Sequence, residues 1–189
     1  MEKIYYIKNM VCDRCILVVK DAMEDESLKV ESIKLGEVVI DSEDHDDVTN
    51  TLERIFVNSA FSLLTSSDLQ LVENVKTTLI RLFDDLPLNL NENISSLLAR
   101  ELNQDYSKMS KIFSTREKIT IEKYFIKLRI EKVKELIQND ELNFTEISQL
   151  LDYSNVNHLS TQFKNSTGKN LTLYKVNNKN FRNSLDRIL

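Results

Sequence analysis

The sequence has very few of the residues that end helices or form tight turns. Two glycines and one proline occur in 189 residues, which favours mostly helical structure. No apolar run approaches the roughly 18 residues that a membrane-spanning helix needs. The first residues lack the basic segment and apolar stretch of a signal peptide. We therefore expect a cytoplasmic chain without a membrane partner.

Cysteine and histidine are also scarce. Cys12 and Cys15 form a single Cys-x-x-Cys. A disulfide between cysteines this close in sequence cannot hold distant parts of the fold together, so the motif instead favours a metal or redox site. The two histidines are far apart in sequence, and His45, next to several aspartates, is expected at the surface. Neither a glycine-rich phosphate loop nor a convincing nucleophile–base pair is present. We expect no enzymatic activity.

The charge of the chain is unevenly distributed. The formal net charge is -5, to which residues 1–66 contribute -7, residues 67–89 contribute -2 and residues 90–189 contribute +4. Basic segments attract the phosphates of nucleic acids and acidic segments repel them. This asymmetry favours a nucleic-acid-binding role for the C-terminal half alone.

Residues 1–66 show short apolar runs that alternate with amphipathic stretches. Apolar runs with turn residues between them predict strands, and apolar residues at helical spacing predict helices. The predicted strands cover 4–7, 30–35, 37–40 and 61–64, and the predicted helices cover 15–23 and 48–57. The order β-α-β-β-α-β is that of a ferredoxin-like α+β module.

Residues 67–89 are predicted to connect this module to the C-terminal half. Apolar residues at helical spacing over 68–84 predict a helix that Pro87 ends, and 86–92 is the predicted hinge. The apolar stripe indicates either packing within the chain or a homodimer interface. We favour packing.

Residues 90–189 contain an imperfect internal repeat, NISSLLARELNQDYSKMSKIF and NFTEISQLLDYSNVNHLSTQF. Each copy has a short amphipathic helix with a small residue, Ala99 or Ser148, where another helix can cross closely. A polar turn follows, and Asp105 or Asn155 is a good N-cap for a second helix. The pattern predicts an all-α domain with two helix-turn-helix units, at 94–116 and 144–166.

A long helix over 120–138 is predicted to join the two units. Thr120 is its expected N-cap, and its 19 residues span about 28 Å. Successive major-groove segments on one face of DNA are roughly 34 Å apart. One chain could therefore read two successive grooves.

The outward residues of each second helix are the candidate DNA contacts. Asn and Gln pair with adenine, whereas Lys pairs with guanine or phosphate. The alternative is that these are solvated faces of a helical bundle, but two copies joined by one helix favour DNA reading. The candidates are Tyr106, Ser107, Lys108, Ser110 and Lys111 in the first unit, and Asn155, Asn157, His158, Ser160, Thr161, Gln162 and Lys164 in the second.

Residues 90–176 resemble the DNA-binding domain of the AraC/XylS family of bacterial transcription regulators. The residues that carry the resemblance are Tyr153-Ser154, Leu159-Ser160, Phe163-Lys164, Gly168 and Tyr174-Lys175. The resemblance implies sequence-specific binding of double-stranded DNA without a cofactor, and RNA polymerase as a partner. The family's turn glycines are replaced by Asn103 and Asp152, and both residue types tolerate the left-handed backbone that such a turn needs.

Residues 1–66 resemble a heavy-metal-associated domain through the loop Met10-Val11-Cys12-Asp13-Arg14-Cys15. The resemblance implies that Cys12 and Cys15 bind Cu(I) or another soft metal through two thiolates. Two alternatives stay open: a module kept for signal reception or dimerisation with incidental thiols, and a redox switch. A different function class is a copper chaperone-like protein whose helical half binds a protein partner.

Overall fold

The computed structural model of the chain describes residues 1–57 and 59–176. The chain divides into two compact units, Met1–Thr77 (unit 1) and Thr78–Leu189 (unit 2). Residues 177–189 of the predicted DNA-binding domain lie outside the described residues. None of the described helices is both long and apolar enough to cross a membrane.

Unit 1 combines a small antiparallel sheet with helices in the predicted element order. The strands lie in the order β2-β3-β1-β4, so that β1 pairs with both β3 and β4. Strand β4 is shorter than predicted because it pairs with β1 at only two positions. The elements are β1 (Glu2–Lys8), α1 (Asp13–Asp25), β2 (Val30–Lys34), β3 (Glu37–Asp41), α2 (His45–Phe56) and β4 (Ser62–Leu63).

The core of unit 1 follows from the alternation of side chains along the central strands. Successive residues of a strand point to opposite faces. Tyr5 and Ile7 of β1 are therefore buried together with Val38 and Ile40 of β3. Helices α1 and α2 bury apolar residues in the same cluster.

Helix α3 (Ser67–Arg81) contains the boundary between the two units. Its apolar residues Val72, Val75 and Leu79 are buried, as expected for packing within the chain. The helix ends three residues before the predicted end at residue 84. The following segment, the predicted hinge, is attached to unit 2, because the backbone N–H of the buried Leu88 donates to the carbonyl of Leu150 at 2.8 Å.

The described part of unit 2 after residue 90 is helical. Its elements are α4 (Ile94–Leu102), α5 (Tyr106–Glu117), α6 (Ile121–Asn139), α7 (Phe144–Leu150), α8 (Val156–Thr167) and α9 (Leu171–Val176). The α-helical pairs α4–α5 and α7–α8 and the long α6 coincide with the predicted elements. Helix α9 was missed, although its buried Leu171 and Tyr174 are three residues apart, which is a helical spacing.

Candidate nucleic-acid interface

The first helix-turn-helix unit is formed by α4 and α5. Asn103 ends α4 in the left-handed conformation, with φ 48°, which asparagine tolerates better than most residues. The Asp105 carboxylate then accepts a hydrogen bond from the backbone N–H of Lys108 and caps α5. Met109 and Phe113 of α5 are fully buried, so the opposite side of α5 faces solvent.

The second helix-turn-helix unit, formed by α7 and α8, repeats this construction. Asp152 has φ 55° in the turn, where the first unit has Asn103. The Asn155 side chain accepts a hydrogen bond from the backbone N–H of His158 at 2.9 Å and caps α8. Leu159 and Phe163 are fully buried. The predicted caps and left-handed turns are thus present in both units.

Helix α6 packs against helices of both helix-turn-helix units. Its Tyr124 ring lies 5.6 Å from that of Phe113 in α5. Farther along α6, Val133 and Ile137 belong to the same buried cluster as Leu159 and Phe163. The cap predicted at Thr120 is present, because its side chain accepts from the backbone N–H of Lys123. Since α6 is one continuous helix, it fixes the spacing of α5 and α8.

Arg129 of α6 holds the turn of the second helix-turn-helix unit, a role that the sequence did not reveal. Its Nη2 donates to the carbonyls of Leu151 and Asp152, at 2.6 and 2.8 Å. Its guanidinium also lies 3.9 Å from the ring centroid of Tyr153. Burial lowers the pKa of Arg129 and raises that of Tyr153 to about 12. The arginine therefore joins α6 to the residues just before α8.

Half of the candidate DNA contacts are exposed on α5 and α8, and their side chains take part in no helix cap or ring contact among the described residues. Basic side chains at these positions can reach phosphates or guanine, and short polar side chains can reach base edges. These residues are Ser107, Lys108 and Lys111 on α5, and Asn157, Thr161 and Lys164 on α8.

Three other candidates have polar groups engaged within the domain. The Tyr106 hydroxyl donates to the Glu122 carboxylate, and burial together with this carboxylate raises the pKa of Tyr106. The Gln162 carbonyl oxygen accepts from the Tyr153 hydroxyl at 2.7 Å. Asn155 caps α8. These groups hold α5 and α8 within the domain.

The remaining candidates lie at the edges of the exposed faces. Ser110 and Ser160 are half-buried. His158 is exposed, and its Nδ1 lies 3.2 Å from the Ser154 hydroxyl. Its ring also meets Tyr153 edge-on, with 5.4 Å between ring centroids.

Comparison with known proteins identifies this arrangement of helices. A family profile described as a helix-turn-helix domain matches residues 98–175. The Msm operon regulatory protein of Streptococcus mutans is 30% identical over 78 residues, which cover 41% of this chain and 28% of that protein. The C-terminal domain of AraT, a response regulator from Geobacillus stearothermophilus, has a similar fold: the TM-score is 0.52 at 22% identity, covering 62% of this chain and 95% of the other.

The helices of unit 2 form a helix-turn-helix domain, and the matched relatives make it similar to the DNA-binding domains of bacterial regulators. The family profile matches residues of this domain, and this chain spans just over a quarter of the length of the S. mutans regulator. The assignment therefore concerns unit 2. The resemblance of unit 1 to a heavy-metal-associated domain stays a prediction.

Outside the helix-turn-helix domain, the predicted Cys-x-x-Cys site lies at the start of α1. Cys12 is the exposed N-cap residue and Cys15 is half-buried, with 3.5 Å between the two Sγ atoms. Desolvation raises the pKa of Cys15. Met10 is fully buried beneath the loop. Among the described residues, no group of three or more Cys, His, Asp and Glu side chains could hold a metal ion.

His45 was expected at the surface, but the structure corrects this. It is half-buried, and its Nδ1 lies 3.2 Å from the Tyr5 hydroxyl. Its Nε2 is buried and has no hydrogen-bond partner. The acidic neighbours point to the solvent from the start of α2, whereas the imidazole packs on β1.

Proposed function

We propose that the protein is a sequence-specific DNA-binding transcription regulator that reads two successive major-groove segments with α5 and α8. The observation that carries the proposal is the doubled helix-turn-helix. Each recognition helix buries one apolar face and presents exposed polar or basic residues on the other. A single continuous helix, α6, packs against both helix-turn-helix units.

The charge of the chain and its relatives support the proposal. The net charge of +4 over residues 90–189 favours approach to phosphates. The S. mutans relative is named as an operon regulatory protein. We propose control of transcription for this chain on the basis of that similarity. A partnership with RNA polymerase and homodimerisation stay predictions.

A binding titration of the full chain against a mixture of genomic DNA fragments tests the proposal. We expect retention of a subset of fragments, with affinity that falls steeply as salt rises, because bound lysines release counterions from DNA. No binding at low salt, or binding that is indifferent to salt, would contradict it. Copper binding without DNA binding would instead favour the chaperone-like alternative.

For unit 1 we propose a sensor role in which Cys12 and Cys15 bind Cu(I) or another soft metal. The donors fit such an ion: a metal–thiolate bond is about 2.3 Å for zinc, so two sulfurs on one metal lie at most about 4.6 Å apart, and these two are 3.5 Å apart. Two soft ligands suit Cu(I) better than Zn²⁺, which takes four ligands. The element order and the central position of β1 and β3 in the sheet support the ferredoxin-like assignment.

Metal binding can be tested on the full chain under reducing conditions. We expect one Cu(I) per chain by competition with a chromophoric chelator, and loss of that binding in the double variant Cys12→Ser, Cys15→Ser. Equal copper uptake by the double variant would remove the metal proposal. DNA titrations with and without copper then test whether the metal controls unit 2.

A further inference from the structure

The Cys-x-x-Cys loop is fastened to α3 by the backbone of Asn9. The Asn9 N–H donates to Oε1 of Glu73 at 2.8 Å, and Glu73 is buried. On its other side, the Asn9 carbonyl accepts a weak hydrogen bond from Sγ of Cys15 at 3.9 Å. Asn9 has φ 70°, a left-handed conformation that asparagine tolerates better than most residues.

The two thiols differ in access but are close together. Cys12 is exposed, so a soluble reagent can reach its sulfur, whereas Cys15 is half-buried directly behind it. A disulfide requires the sulfurs to approach from 3.5 Å to about 2.04 Å. Residues three apart at a helix start can make this approach by local adjustment, as other Cys-x-x-Cys pairs do.

We infer that Cys12 and Cys15 are a reversible dithiol–disulfide pair whose closure is opposed by the Asn9–Glu73 anchor. The oxidant is a low-molecular-weight disulfide such as oxidised glutathione. The Cys12 thiolate attacks one sulfur of it and releases one glutathione thiolate. The Cys15 sulfur then attacks Sγ of Cys12, loses its proton and releases the second glutathione. Overall, two electrons and two protons pass from the protein dithiol to oxidised glutathione, which becomes two molecules of reduced glutathione.

The Asn9–Glu73 anchor favours the reduced dithiol. The Cys15 S–H that contacts the Asn9 carbonyl exists only in the dithiol, and closure removes this donor. Glu73 fixes Asn9 where that contact can form. The inference rests on unit 1 alone, and only its consequence for transcription depends on the proposed function. A closed disulfide also leaves no thiolate for Cu(I), so oxidation and metal binding exclude each other.

The test equilibrates the full chain with mixtures of reduced and oxidised glutathione, blocks remaining thiols with N-ethylmaleimide, and measures intact mass. We expect a single transition from a doubly blocked chain to an unblocked one that dithiothreitol reverses. In Cys15→Ser, Cys12 should accumulate a mixed disulfide with glutathione. In Cys12→Ser, the half-buried Cys15 should accumulate much less.

Glu73 is tested in the same assay. Glu73→Ala removes the acceptor for the Asn9 N–H, and we expect the disulfide-to-dithiol ratio at a fixed glutathione mixture to rise several-fold. Glu73→Gln keeps a side-chain oxygen and should behave like the parent chain. Thermal unfolding of both variants shows that they are folded. The inference is overturned if the thiols of the parent chain stay open to N-ethylmaleimide, or if oxidation stops at the mixed disulfide with glutathione. It is also overturned if a folded Glu73→Ala variant has the same disulfide-to-dithiol ratio as the parent chain.

Discussion

Asn157 and Lys164 are both exposed on α8, yet they can make different contacts with DNA. Asn157 lies in the first turn of α8, and the N-terminal residues of a recognition helix contact base edges. Its short neutral amide can read a base but neutralises no phosphate. Lys164 lies in the last turns of the helix, beyond the buried Phe163, where its ammonium can reach the DNA backbone.

Asn157→Ala should therefore weaken binding to the preferred site by roughly 1–3 kcal/mol and leave non-specific DNA almost unaffected. Binding is measured by titration against the selected site and against a scrambled duplex. Asn165→Ala, the same change near the end of α8, is the matched control. Circular dichroism excludes a loosened helix, since Leu159 and Phe163 pack beside these positions. Equal weakening of both duplexes would place α8 outside the groove.

Lys164→Ala should weaken binding to all sequences alike and lower the slope of log affinity against log salt by about one, because one phosphate contact is lost. The measurement is the same titration repeated over a range of salt concentrations. Lys20→Ala removes an equal charge from the exposed face of α1 and should leave the slope unchanged. A loss confined to the preferred sequence would mean that Lys164 contacts a base.

At the scale of helices and turns, features with local causes could be predicted from the sequence. The caps at Asp105 and Asn155 depend on a backbone N–H three residues away, and apolar spacing predicted the buried faces of α5 and α8. Contacts between distant residues could not be predicted. Arg129 bonds carbonyls 22 and 23 residues away, and His45 contacts Tyr5, 40 residues away. The same limit applies to Tyr106 and Gln162, whose polar groups are engaged inside the domain.

Arg129→Ala should destabilise the helix-turn-helix domain by about 1–3 kcal/mol, because the carbonyls of Leu151 and Asp152 lose a charged donor. Urea unfolding followed by circular dichroism measures the free energy of unfolding. Lys123→Ala, at an exposed position of the same helix, is the control and should change stability little. A loss for Arg129→Ala no larger than that of the control would show that this contact does not hold the turn.

At the scale of the whole chain, charge and recognition surfaces divide in the same way. Unit 1 lies in the acidic part of the sequence and carries the cysteine pair, whereas the basic part carries both recognition helices. Helix α6 is a continuous helix of 19 residues, or about 28 Å, and packs against both α5 and α8. Under the proposed function it spaces these two helices for successive major-groove segments, which repeat at roughly 34 Å, so that one chain makes two groove contacts.

Selection of bound sites from random duplex DNA by the full chain tests this claim most directly. The account predicts one enriched motif made of two short blocks with centres about 10 base pairs apart, bound by one chain as judged by the native mass of the complex. Inserting five base pairs between the blocks turns one to the opposite face and should abolish specific binding. A single short block, or affinity unchanged by the insertion, would contradict reading by two rigidly joined helix-turn-helix units.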